Sequence, residues 1–342
     1  MGKKADMIKS PLAAAAILVA TASFAQEAEA PAPSPGEIVD AAPSDEWVAI
    51  DPEDLVVMTL PPLADGTERK VVMQLIGDPF SQGWVENIRT LARTGYWDGS
   101  QVLRVQDNYV VQWGQPDPEM GVEPKPVPEG LNVMDQGAYT TTPPASIATT
   151  LDELDRLDWV SRTFGQPGDQ DLVPSLYNPW DADEYAAHNG FWSGWPYASD
   201  RETAWPVHCY GMVGVGRNYS PDTGDGSQLY TVIGQAPRHL DRNIAVVGRI
   251  IEGIEHLSSL PRGKGPLGFY EDEAKRVPIV SVRMAEDLPQ GERPRFEYLR
   301  TESESFAQYA DARANRRDPF FIVPAGGADI CNIPVPVRRV SE

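Results

Sequence analysis

Residues 95–115 read GYWDGSQVLRVQDNYVVQWGQ, and the fold depends on how that stretch divides. Gly95 is placed to stop a preceding helix. QVLRV and NYVVQWG are rich in Val, Tyr and Trp and read as two strands around a polar turn. Arg104 sits among Val102, Leu103 and Val105, a few residues before Tyr109, Val110 and Val111. A single cation in such a strand is either solvated on an edge or placed at the lip of an apolar groove.

Working outward, DLVVMTL and KVVMQLIG are β-branched runs joined by PPLADGTER, a hairpin signature. SQGWVENIRTLARTG sets Val85, Ile88, Leu91 and Ala92 on one helical face, with Ser81 as a candidate N-cap. YGMVGVG, QLYTVIGQ, NIAVVGRII and VPIVSVRM repeat the strand pattern, and IEGIEHLSSL has turn-like spacing of apolar residues. Many short strands with few helices predict a mainly β fold, a closed or nearly closed antiparallel barrel with flanking helices. The predicted domain spans residues 47–286 and carries a long insertion at 116–206. The insertion holds a helix candidate, TLDELDRLDWVSRTF, capped by Thr150 and Glu153, and the aromatic-rich NPWDADEYAAHNGFWSGWPYASD. Residues 287–342 form a C-terminal extension with a helix at ESFAQYADARANRR.

The 342 residues carry a net charge of −21, with 41% hydrophobic and 9% aromatic residues. That is enough for a core, and the charge disfavours nucleic acid or an anionic lipid surface as partner. Lys3, Lys4 and Lys9, the apolar run Leu12 to Ala22 and Ser23-Phe24-Ala25 make residues 1–25 a secretory signal peptide. Residues 26–46, rich in Pro, Ala and Glu, are expected to be a flexible tether. The expectation is therefore a periplasmic or secreted protein of a Gram-negative bacterium, with no membrane span after cleavage. Cys209 and Cys331 are the only cysteines. They either form a disulfide, worth roughly 4 kcal/mol for so long a loop, or stay as two buried thiols.

Other chemistry finds little footing. His188, His208, His239 and His256 lack metal-ligand spacing, and His208 beside Cys209 would point to the opposite face of a strand. GMVGVG does not have the dinucleotide-binding spacing. GDGSQ does not centre a serine between glycines as a nucleophile elbow requires.

One ordered set remains: GYWDG, then Arg104, Tyr109 and Gln112, then GDGSQLY and RHLDRNIAVVGRIIEG far downstream. In order and spacing it resembles the cyclophilin family of peptidylprolyl cis-trans isomerases, with its GYYDG, HRV, FMIQGGD, GSQFFI and LDGKHTVFGRVVEG. The resemblance covers roughly residues 47–285 without the insertion. It implies the barrel fold, no cofactor, and proline-containing peptides or unfolded polypeptides as partners. It also implies Arg104 and Gln112 as catalytic residues, and Tyr109, Gln228, Tyr230, His239 and Leu240 as the substrate-binding set. Tyr230 takes the place of the proline-pocket phenylalanine. The sequence departs from the family at Ile244, which stands where the pocket histidine belongs, and at Trp113, Gln115 and Arg242 in two turns. VGRNY replaces MANAG, which leaves open whether Arg217 or Asn218 stands for the substrate-binding asparagine. Two other readings stay open. One is a noncatalytic peptide-binding scaffold; the other is a metal-dependent hydrolase in which His188, His208 and Cys209 converge.

Overall fold

Alternation of period two builds the main sheet, because successive side chains in a strand face opposite sides. The computed structural model describes residues 31–116, 123–143 and 183–340, together with Gly2 and Ile147. The signal peptide apart from Gly2, and the helix read at Thr150–Phe164, lie outside the described residues.

The first strands are β1 (Trp47–Ala49), β2 (Leu55–Leu60), β3 (Arg69–Leu75), β4 (Gln101–Val105) and β5 (Val110–Gly114). After the insertion come β9 (Met212–Val215), β10 (Leu229–Val232), β11 (Val246–Glu252), β12 (Val277–Pro278) and β13 (Ser281–Met284). Nine of these form one antiparallel sheet in the order β12-β4-β5-β10-β9-β11-β3-β2-β13. The PPLADGTER hairpin is as read, with Leu55 opposite Gln74 and Leu60 opposite Arg69.

Closure is incomplete, so of the two expected forms the barrel is the nearly closed one and not the fully closed one. The two edge strands are consecutive in the chain: Val277 pairs with Val102 of β4, whereas Ser281 pairs with Thr59 of β2. The chain changes partner at Ile279 and Val280, whose amides bond Ser100 O at 2.7 Å and Thr59 O at 2.9 Å. One short segment thus bridges the two edges of a curled sheet without a continuous ladder.

Helix α2 (Gln82–Arg93) covers one side with Trp84, Val85, Ile88, Leu91 and Ala92 buried. Ser81 occupies the N-cap position but in a left-handed conformation, and its side chain makes no capping bond, unlike the reading from sequence. Gly95, at φ +64°, does end the helix. The sheet's interior is filled: Met58, Met73, Trp97, Trp113, Leu229 and Val282 surround a void of only ≈10 Å³. A ligand site must therefore lie outside the barrel.

Two smaller sheets were not foreseen. Within the insertion, β6 (His188–Trp192), β7 (Trp195–Ser199) and β8 (Ala204–Pro206) form an antiparallel sheet. In the C-terminal extension β14 (Phe296–Leu299) pairs with β15 (Val337–Arg339) and with β1, so residues 47–49 belong to the extension's sheet and not to the barrel. The tether reading also needs correction, since part of it is ordered. Pro35–Ala41 form helix α1, closed by a capping box between Ser34 and Glu37. It packs on α4 (Glu304–Ala314), which follows the short α3 (Glu255–Ser258). Cys209 and Cys331 are joined in a disulfide that ties the extension to the barrel. Among the described residues no helix is long and apolar enough to cross a membrane.

Candidate functional site

Strand register assembles the site. Arg104 faces Gln112, Gln112 faces Tyr230, and Tyr230 faces Gly214, one row across β4, β5, β10 and β9. The neighbouring pairs, Trp113 with Leu229 and Leu229 with Val215, lie in the barrel core, so the row is on the outer face. Arg104 owes its position to a bulge. Val102 faces Trp113 while Arg104 faces Gln112, so Leu103 is an extra residue in β4. Were Val102, Leu103 and Arg104 in regular alternation, Arg104 would share the inward face of Val102.

The guanidinium is held at several points. Its Nε donates to Leu267 O at 2.6 Å, one terminal nitrogen donates to Gln112 Oε1 at 3.3 Å, and the other to Gln106 Oε1. The rings of Tyr109 and Phe269 flank it at 5.6 and 5.5 Å. Burial pulls the Arg104 pKa down and pushes the Tyr109 hydroxyl up. Three of the five N–H donors of an arginine are used this way, which leaves two for another acceptor. Gln112 in turn donates to Gln228 Oε1 at 3.5 Å, and Gln228 donates to Gln115 O.

Beside this network lies a groove of ≈930 Å³, lined among others by Arg104, Gln112, Gln228, Gly216, Ile244 and Phe269. Its far wall comes from the insertion, through Lys125, Val127, Asn132, Val133 and Met134. The buried Asn87 of α2 sets that wall: its amide donates to Asn132 O and to Asp225 O, both at 3.0 Å, and Asn132 N returns a bond of 2.7 Å. Trp97 Nε1 holds the carbonyl of Ser227, another lining residue, at 2.9 Å. The described stretch of the insertion at residues 123–143 therefore supplies one wall of the groove. Arg217 and Asn218 both line it.

The predicted binding residues divide into two groups. Gln228 lines the groove with Arg104 and Gln112, the pair predicted to be catalytic. Tyr109, Tyr230 and Leu240 instead join Val110, Val232 and Ile244 in a small apolar cluster, with His239 stacked on Tyr109 at 6.2 Å between centroids. Ile244 belongs to both the cluster and the groove. Tyr230 is only 5% exposed, and burial pushes its hydroxyl well above its ordinary pKa. That hydroxyl lies over Gly214 of β9, 2.9 Å from His208 Nε2. His208 Nδ1 lies 2.9 Å from Asp241 Oδ1, and Cys209 is bonded to Cys331. Two of the three residues a metal site would need, His208 and Cys209, are thus engaged with other partners, and no metal-binding cluster occurs among the described residues.

Sequence reasoning missed Gln106, Leu267, Phe269 and the insertion wall. PLGF carried a usable signal, a turn glycine before an aromatic, but nothing in it pointed to Arg104.

Residues 70–284 match the family model described as cyclophilin type peptidyl-prolyl cis-trans isomerase/CLD. Among solved structures the chain is similar to the cyclophilin AquaCyp293 from Hirschia baltica. The two are 24% identical with a TM-score of 0.58 over 86% of this chain and 94% of that one. A Cryptosporidium parvum cyclophilin type peptidyl-prolyl cis-trans isomerase, solved in the presence of the dipeptide Ala-Pro, is 13% identical. Its TM-score is 0.34, over 67% of this chain and 97% of that one. No curated protein matches the sequence.

Proposed function

Since the chain belongs to the family of cyclophilin type peptidyl-prolyl cis-trans isomerases, we propose that it rotates Xaa-Pro bonds of exported or unfolded polypeptides, with Arg104 as the donor that favours the twisted amide. Amide resonance sets a barrier of roughly 18–20 kcal/mol to this rotation. No acid, base or nucleophile is needed to lower it. As the bond twists, resonance is lost and the prolyl nitrogen regains a lone pair. A fixed cation near that nitrogen stabilises the twisted state more than the planar one.

The observation that carries the reading is the row Arg104, Gln112 and Tyr230 beside an open groove. Gln106, Gln112 and Leu267 O hold the guanidinium before substrate arrives, so little reorganisation accompanies the twist. Tyr109, Leu240 and Ile244, half-buried around Tyr230, offer the apolar surface for a proline ring, with His239 on its rim. Gln112 and Gln228 position the arginine and bind substrate backbone. The N-terminal pattern and the Cys209–Cys331 disulfide both suit an oxidising compartment outside the cytoplasm, the periplasm or beyond.

The same three acceptors favour a second reading, a noncatalytic peptide binder, because they occupy part of the guanidinium. A protease-coupled proline isomerisation assay separates the two. The chain is expected to exceed the uncatalysed rate, and Arg104→Ala to lose about 10²-fold, as for removal of one preorganised donor. Equal rates for both proteins at the uncatalysed level would leave the binder.

A further inference from the structure

His208 has no part in the arginine-assisted rotation, yet it lies at the centre of a buried polar chain that ends at the apolar cluster. Tyr230 Oη is 2.9 Å from His208 Nε2, and His208 Nδ1 is 2.9 Å from Asp241 Oδ1. Asp241 Oδ2 accepts from Arg238 Nε at 2.7 Å, and Arg238 donates onward to Asp183 Oδ2 at 2.6 Å. His208 is fully buried, and the side chains of Arg238, Asp241 and Asp183 are each at most 5% exposed. In a neutral imidazole a carboxylate at Nδ1 places the proton there, which leaves Nε2 to accept the Tyr230 O–H. Asp241 Oδ1 also accepts the His208 backbone N–H at 3.0 Å, which fixes the ring's own residue to the same carboxylate.

This arrangement resolves a chemical difficulty. A tyrosine hydroxyl facing a proline ring would make the socket polar. Here the hydroxyl is laid across β9 on the outer face of the sheet, into space that only glycine leaves open: a Cβ at Gly214 would come within 2.3 Å of Tyr230 Oη. The substrate side then meets ring carbon alone. The loop Arg238–Leu240, which carries Leu240 and His239 beside Tyr109, is anchored by the same Arg238 to Asp183 of the insertion.

We propose that His208 and Asp241 are positioning residues that hold the Tyr230 hydroxyl away from the groove and so keep the proline socket apolar, a role that rests on the isomerase reading of the site. The test uses the full chain. The affinity for a tetrapeptide containing Ala-Pro is measured by NMR titration, alongside KM and kcat for its isomerisation. His208→Phe removes the acceptor; peptide Kd and KM are expected to rise about 10-fold with kcat within about 2-fold. His208→Gln returns a hydrogen-bonding group and should recover most of the loss. In a Tyr230→Phe background, which has no hydroxyl to restrain, His208→Phe should change Kd by less than about 2-fold.

Unchanged Kd and KM in both His208 variants, whatever their melting temperatures, would overturn the role. An equal His208→Phe effect with and without the Tyr230 hydroxyl would overturn it as well. If His208→Phe does not fold, the comparison rests on His208→Gln and Tyr230→Phe, each against its double variant. A wild-type chain that binds the peptide without accelerating its isomerisation defeats the isomerase reading alone, because the Kd comparison still decides the role of His208.

Discussion

In the proposed mechanism Arg104 works through geometry as well as charge. Its planar fork reaches Leu267 O, Gln112 and Gln106 together while two rings flank it. Lysine keeps the charge but cannot satisfy three separated acceptors from one nitrogen position. Arg104→Lys should therefore lose at least about 10-fold in kcat/KM; activity equal to wild type would show that charge alone suffices. Tyr230→Phe leaves His208 Nε2 buried without its partner and should cost about 1–3 kcal/mol in denaturant unfolding. Arg104, Gln112, Gln228 and Tyr230 were legible in the sequence because they fall at short, fixed offsets within motifs. Leu267 and Phe269 were not, since Leu267 O meets Arg104 across 163 residues and through a backbone carbonyl that has no residue-type signal. The path of the Tyr230 side chain over β9 was equally hidden, because it depends on Gly214 of the neighbouring strand and on His208, 22 residues earlier.

At the scale of elements, strand alternation and helix periodicity were enough to identify α2 and the strands of the main sheet. The insertion's hairpin was missed although it carried a signal. HNGFW and WPYAS are joined by Ser193-Gly194, both at positive φ, as a two-residue hairpin turn requires. Its dense aromatics and prolines masked the period-two pattern. The bulge at Leu103 was also invisible, since a one-residue register shift depends on the partner strand. Gly214→Ala tests how tightly β9 and β10 meet. With a Cβ 2.3 Å from Tyr230 Oη, the ring must move, and the expected loss is about 1–3 kcal/mol; a neutral result would mean that Tyr230 is not held as described. The sheet's bridging strand is tied to the turn after α2 by Asp98, which Arg283 grips at 2.7 Å to each oxygen. Those hydrogen bonds, and the Val282 N–H, hold the Asp98 pKa below its ordinary value. A depressed acid contributes stability above its unfolded pKa of about 3.9. That contribution disappears as pH falls through the lower folded value. The difference in urea midpoint between wild type and Asp98→Asn should accordingly be present at neutral pH and vanish in strong acid; a difference independent of pH would contradict this.

The whole molecule is a curled sheet wrapped by additions at both ends and in the middle. One disulfide spans 122 residues to fix the extension beside the barrel. From sequence the pairing was undecided, because only the fold brings residues 209 and 331 together. Removing it as Cys209→Ser with Cys331→Ser should lower stability by about 5 kcal/mol in the chain-entropy treatment; a loss under about 1 kcal/mol would mean that the extension holds itself in place. The central claim is that the outward row of Arg104, Gln112 and Tyr230 speeds rotation of a bound Xaa-Pro bond. NMR exchange spectroscopy on a proline peptide reads that rotation directly, by following interconversion of its cis and trans signals with catalytic amounts of protein. The account predicts exchange cross-peaks with the native chain and their near loss with Arg104→Ala, while the peptide still binds that variant. Undiminished exchange in Arg104→Ala, or binding by the native chain with no exchange above that of free peptide, would contradict it.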